Sequence, residues 1–229
     1  MRKIKRIFFN GGCIWGFIEC LGCLAYIREQ RNMFRRKYQV YGVSAGSVIG
    51  LLLLLDVCPN KVLTFMKEYN YTNTTNLTQI QRAFYEFMLQ DRPNAYQIAN
   101  KQLHVGVTTV HGFEFHHNCW KSNEDMARSL FGGASIPFFN TFEDNTLLDG
   151  GLSFDESYLP NKTFVVRNYL AIFPISAIPP TNWLCDYLFR HGYDYIHNKH
   201  ENNVIESVYL NNKLPDYVIR LLFAPVLQP

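Results

Sequence analysis

The 229-residue chain is poor in charge: Asp, Glu, Lys and Arg make up 18% of it, and the net charge is only +3. A balance that small does not imply nucleic-acid binding, and neither zinc-finger spacing nor an RNA-binding aromatic signature supports such a partner. The six cysteines, at 13, 20, 23, 58, 119 and 185, are too sparse and irregular for a disulfide framework and read as thiols of a reducing compartment. Cys20-x-x-Cys23 has no second pair to complete a zinc site, so it reads as core packing within an apolar helix. No apolar run reaches bilayer length, for Val48–Val57 is about half of what a crossing needs. Asn10-Gly11-Gly12 interrupts the apolar stretch behind the basic start Met1–Arg6, which argues against a signal peptide. The sequons at Asn70, Asn73, Asn76 and Asn161 carry little meaning without secretion, and a cytoplasmic location is expected. Repeats, linkers and low-complexity blocks are also lacking, so residues 1–229 read as a single domain.

What is present is apolar and aromatic. Hydrophobic residues make up 48% and aromatics 15%, enough for a full core and for an apolar pocket or lipid contact. Ile7–Phe9 reads as a short buried strand running into the glycine loop Asn10-Gly11-Gly12, and Ile14–Gln30 then carries apolar residues at helical spacing. Lys37–Val43 is a second strand and Val48–Val57 a buried helix ended by Cys58-Pro59. This β-α-β-α opening predicts an α/β fold with a parallel sheet and right-handed crossovers. Further on, helices are expected over Lys61–Asn70, Gln79–Gln90 and Asn123–Leu130. Leu103–Val110 and Phe113–His117 suggest a hairpin, Thr146–Leu148 and Lys162–Asn168 two more strands, and Thr181–His191 a helix that extends toward His200.

Between the second strand and its helix lies Gly42-Val43-Ser44-Ala45-Gly46. Glycines two before and two after a serine let the chain turn sharply from strand to helix and present the hydroxyl in a strained, exposed position: a nucleophile elbow. Parallel strands end on the same side of a sheet, so the glycine loop and Ser44 share one edge, joined by Asp149 if its strand is also parallel. Ser44 is then the nucleophile. Asp149, followed by Gly150 and Gly151, is the base that takes its proton and later activates water. The backbone N–H groups of Gly11, Gly12 and Cys13, at a helix N-terminus, are candidate oxyanion donors.

These segments resemble the patatin-like acyl hydrolases. The resemblance is carried by the Gly-Gly-x-x-Gly loop at Gly11, Gly12 and Gly16, by Gly42-Val43-Ser44-Ala45-Gly46, by Ala134-Ser135-Ile136-Pro137-Phe138 and by Asp149-Gly150-Gly151-Leu152. It implies a three-layer α/β/α fold with a mainly parallel central sheet, and a serine lipid acyl hydrolase of phospholipase A type acting through a Ser44–Asp149 dyad. It also implies no cofactor or metal, a lipid or phospholipid substrate, and peripheral membrane contact. Trp15 stands where the family carries Lys or Arg, and Asn10 where it has a further glycine. Beside the loop, Trp15 is expected to wall an acyl chain or to anchor at an interface.

Three alternatives compete. An α/β-hydrolase triad would run Ser44, Asp149, then His191 or His197, although only 43 residues precede Ser44 and such folds build several strands before the elbow. A metal site would use His116, His117 and Cys119, or His197 and His200, without recognisable further ligands. A catalytically weak lipid-binding relative would keep the fold and lose the chemistry. The basic residues Arg2, Lys3, Lys5, Arg6 and Arg35, Arg36, Lys37 precede the first two strands, so they are expected at the sheet edge opposite Ser44.

Overall fold

A computed structural model describes residues 3–30, 32, 34–69, 77–136, 147–168, 170 and 179–201. Its order is β1 (Ile4–Phe9), α1 (Cys13–Glu29), β2 (Phe34–Val43), α2 (Ala45–Leu54), α3 (Pro59–Glu68), α4 (Leu77–Leu89), α5 (Ala95–Gln102), β3 (Leu103–Thr109), β4 (Gly112–His116), α6 (Asn123–Gly132), β5 (Leu148–Asp149), β6 (Phe164–Val166) and α7 (Asn182–Glu201). The strands run β4-β3-β2-β1-β6 across the sheet, with β5 paired to β3. β1 is parallel to both β2 and β6, and β2 is parallel to β3. The β3–β4 hairpin is antiparallel and turns through Gly112, whose φ of 111° favours glycine.

The expected β-α-β-α opening is present, as is a mixed, mostly parallel sheet. One strand runs against expectation. β5, which carries Asp149, is antiparallel to β3, pairing Asp149 with Val107 and Leu148 with Thr108. Two boundaries moved for local reasons. α2 stops at Leu54 because Asp56 adopts φ 53°, and Pro59, expected to end a helix, instead occupies the first turn of α3, where its missing N–H costs nothing. α5 was not expected: it is eight residues long and buries only Ala95 and Ala99, too few apolar positions to give a readable stripe.

Alternation along the strands splits the core. Ile7, Phe9, Val40, Val105 and Val107 belong to the large cluster that also holds the buried residues of the helices. Phe8, Tyr41 and Val43 lie on the opposite face, packed by Phe113, Phe115, Phe154, Leu159 and Val165. The second helical layer of an α/β/α sandwich is not seen among the described residues. α1 is buried nearly all round, unlike an ordinary surface helix, because α7 crosses its outer side. Glycine makes that crossing close. A Cβ on Gly22 would stand 1.9 Å from the Phe189 carbonyl oxygen, and one on Gly192 1.8 Å from that of Glu19. The Cys20 and Cys23 thiols are fully buried in this layer, and burial holds both pKa values above the ordinary thiol range, as packing residues require. No described helix is long and apolar enough to cross a membrane.

Candidate active site

The elbow forms where β2 runs out. Ser44 sits between Val43 and the first residue of α2 with φ 52° and ψ −136°, a conformation that costs a serine about 1–3 kcal/mol and persists only when the surroundings impose it. They do so through the two glycines. A Cβ on Gly42 would lie 2.5 Å from the Ser47 Cα, and one on Gly46 2.2 Å from the Phe9 carbonyl oxygen, so α2 can fold back onto β2 and β1 only with glycine at both places. The exposure expected for the hydroxyl is not found. Ser44 is only 6% exposed and lies at the floor of a cavity.

Asp149 reaches Ser44 by a route that strand polarity alone did not suggest. β2 leaves β3 after the Val43–Gly106 pair, and β4 occupies the other edge of β3 over the same residues. β5 therefore takes the edge that β2 vacates, entering from the opposite direction and stopping at Val107. An antiparallel segment thus delivers Asp149 to the place where β2 turns away. Its main chain is held on all sides: Asp149 N–H donates to Ser135 O at 2.8 Å, Gly150 N–H to Gly133 O at 3.1 Å, and Thr108 Oγ1 to Asp149 O at 2.9 Å. A Cβ on Gly150 would stand 2.2 Å from Gly106 O, which explains that glycine. Of the segment singled out in the sequence, Ser135 thus helps to hold Asp149, Ala134 and Ile136 line the cavity, and Pro137 and Phe138 lie outside the described residues.

The Ser44 side chain lies within interaction range of the Asp149 carboxyl and favours its charged form. Gly151 N–H donates to Asp149 Oδ1 at 2.8 Å. Burial raises the Asp149 pKa to about 6, against the opposing pull of Ser44 and of the Gly151 N–H, which favour the carboxylate. A carboxylate poised near neutrality beside a strained serine is suited to accept its proton.

Across the site, β1 ends in the glycine loop. Gly11 lies so close to the nucleophile that its Cβ would stand 2.5 Å from Ser44 Cβ. Its N–H already donates to Asn10 Oδ1 at 2.9 Å, so Gly11 serves as a spacer and the candidate donors narrow to the N–H groups of Gly12 and Cys13. Gly12, with φ 151°, caps α1, and Cys13, with φ 51°, begins it. Gly16 N–H bonds Gly12 O at 2.8 Å and closes the first turn. Ala45, the first residue of α2, presents a third helix N-terminus N–H beside Ser44, the position that serves as donor in other elbows.

The cavity above Ser44 has a volume of about 110 Å³ and a predominantly apolar wall that includes Ile14, Phe17, Val48, Ile80 and Phe84. Trp15 is not part of that lining. It packs against the main core, and the loop's apolar neighbours toward the cavity are Ile14 and Phe17 instead. Gln81 also lines the cavity, and its Oε1 is buried without a hydrogen-bond partner, a cost of about 1–3 kcal/mol that a donor on a bound molecule would relieve.

The histidines are engaged elsewhere. His191 Nδ1 lies 2.9 Å from Glu19 Oε1, His197 packs edge-on against Tyr26, and His200 Nδ1 is 2.6 Å from the Tyr26 hydroxyl, all between α7 and α1. His116 meets Ser129 and Glu114 through its two ring nitrogens, and His117 Nδ1 meets the Phe115 carbonyl. Among the described residues no group of three His, Cys, Asp or Glu is arranged to hold a metal ion. Asp155 accepts from Ser157 N–H at 2.9 Å as a cap.

Sequence reading missed two supporting residues. Thr108 fixes Asp149, and the Asn168 side-chain amide donates to the Gly11 carbonyl. Only Asn168, a polar residue just beyond a short buried strand, left a local signal. Compared with known proteins, the chain matches no family model and no curated protein at a meaningful level of similarity.

Proposed function

We propose that the chain is a serine acyl hydrolase that cleaves carboxylic esters of lipids through an acyl-Ser44 intermediate, with Asp149 as the single base. The observation that carries this reading is the approach of the strained Ser44 side chain to the buried Asp149 carboxyl, with Ser44 lining an apolar cavity. In the first step Asp149 takes the Ser44 proton as Oγ bonds the ester carbonyl carbon. The oxyanion is met by the N–H groups of Gly12, Cys13 and Ala45. Collapse breaks the C–O bond to the alcohol, which leaves with the proton returned by Asp149. Water, deprotonated by the same carboxylate, then attacks the acyl-enzyme and releases the fatty acid with Ser44 restored.

The apolar wall fits an acyl chain better than a charged substrate. A phospholipase A type of activity and peripheral membrane contact belong to the same proposal and rest on the motif resemblance; a cytoplasmic location belongs to it too and rests on the sparse cysteines and the interrupted apolar start. A histidine triad is disfavoured, since a triad needs an imidazole between serine and carboxylate, whereas here Asp149 lies within interaction range of Ser44, and His191 is held by Glu19. The apolar cavity would equally suit a lipid binder without chemistry. Fluorophosphonate labelling separates the two: a stoichiometric adduct on Ser44, lost in Ser44→Ala, supports the hydrolase, whereas no adduct on folded protein leaves the binder.

A further inference from the structure

The glycine loop is positioned by a set of contacts from outside it. β6 runs parallel to β1 with Phe9 opposite Val166, and Asn10 N–H continues the pairing to Val166 O at 3.0 Å. Two residues beyond Val166, Asn168 therefore emerges beside the loop, and its amide donates to the Gly11 carbonyl. The backbone that follows is tied down in turn: Leu170 N–H donates to Glu19 Oε2 at 3.2 Å, and the other oxygen of this fully buried carboxylate meets His191 Nδ1 at 2.9 Å.

The Gly11 carbonyl and the Gly12 N–H belong to one planar trans peptide unit, so they point in opposite directions and cannot turn independently. Whatever holds the carbonyl aims the N–H. The preceding peptide is held as well, through Gly11 N–H on Asn10 Oδ1. Without these holds, Gly12 is a residue with wide conformational freedom, and its N–H would sample directions away from a developing oxyanion.

We propose that Asn168 is a positioning residue of this site: by holding the Gly11 carbonyl it orients the Gly12 N–H toward the reacting carbonyl oxygen, with Glu19 and His191 securing the chain segment that carries it. Its catalytic consequence rests on the hydrolase reading; its structural consequence does not. A donor aimed at the oxyanion acts in the transition state more than on bound substrate, so its misplacement lowers kcat and leaves KM in place.

The test uses Asn168→Ala and the near-isosteric Asn168→Asp, which sets an acceptor against the Gly11 carbonyl and carries both measurements should the alanine variant not fold. On a short soluble ester, with active sites counted by fluorophosphonate, kcat should fall about tenfold to a hundredfold with KM changed less than about twofold. Hydrogen exchange should speed up in the peptide spanning residues 10–17 while peptides from α2 and β3 keep wild-type protection. Unchanged exchange in the loop, exchange that rises equally in all three peptides, or a loss carried by KM would overturn the assignment. If wild-type protein neither labels nor hydrolyses esters, the hydrolase reading fails, and the exchange measurement still decides whether Asn168 holds the loop.

Discussion

Glycine brings backbones into contact in two regions of this molecule, with opposite results. Between α1 and α7, Gly22 and Gly192 let two helices touch along their main chains, and both keep ordinary helical geometry. At the sheet edge, Gly11, Gly42 and Gly46 allow an equally close approach, but there the neighbouring non-glycine residues take the strain: Ser44 at φ 52° and Cys13 at φ 51°. Beside them a carboxyl group is buried with no cation paired to it among the described residues. The first region spends its close contact on packing. The second holds a strained hydroxyl and a desolvated base against each other, an arrangement that costs stability and is retained where a site requires it.

The sharpest way to break this contrast is to remove the chemistry from the strained region. Ser44→Ala and Asp149→Asn should each lower ester hydrolysis by at least about 10⁴-fold, because members of a cooperating nucleophile and base pair fail together. Near-wild-type turnover in either variant, measured on a soluble ester, would refute the dyad.

The packing region should answer differently. Gly22→Ala forces its new methyl to within 1.9 Å of the Phe189 carbonyl oxygen, so the helices must separate. Unfolding in urea should show a loss of about 3 kcal/mol, while turnover per folded molecule stays close to wild type. A variant that retains stability but loses activity would show that the two regions are coupled.

The smallest effect concerns stability in the strained region itself. Burial raises the Asp149 pKa from 3.8 to about 6, so between these values the folded state binds more protons than the unfolded state. Stability is therefore lost as pH rises from about 4 to about 6, and the penalty is constant above that range. Asp149→Asn removes it. The variant should be more stable than wild type at pH 8 by up to about 3 kcal/mol, a gain that shrinks as pH falls toward 4. Denaturation midpoints across this range that run in parallel for the two proteins would contradict the assigned burial of charge. The same ionisation should give ester hydrolysis an acid limb near pH 6.

Much of the architecture is local and could be read directly. Ile7–Phe9 and Val40–Val43 are short apolar runs between glycine-bearing turns, and the helix after each follows from apolar spacing, so the parallel opening and the elbow at Ser44 were legible. The hairpin over Leu103–His116 was legible for the same reason: β-branched alternation broken by a turn. Asp149 was expected beside Ser44 only if its strand ran parallel, and the strand that carries it is antiparallel.

The rest depended on contacts between distant segments. Antiparallel delivery of Asp149 follows from β2 leaving an edge of β3 open, a fact about three strands that no one of them encodes. That Ile14 and Phe17, and not Trp15, line the cavity was not legible either, because a helix covered by α7 is apolar on nearly every side and its composition does not say which side faces the site. The pKa of Asp149 and the hold of Asn168 on Gly11 likewise arise from burial and from hydrogen bonds spanning as many as 157 positions of the chain. Short-range pattern determined which residues were available for chemistry; desolvation and long-range hydrogen bonding, which exist only once the chain is packed, decided how they are aimed.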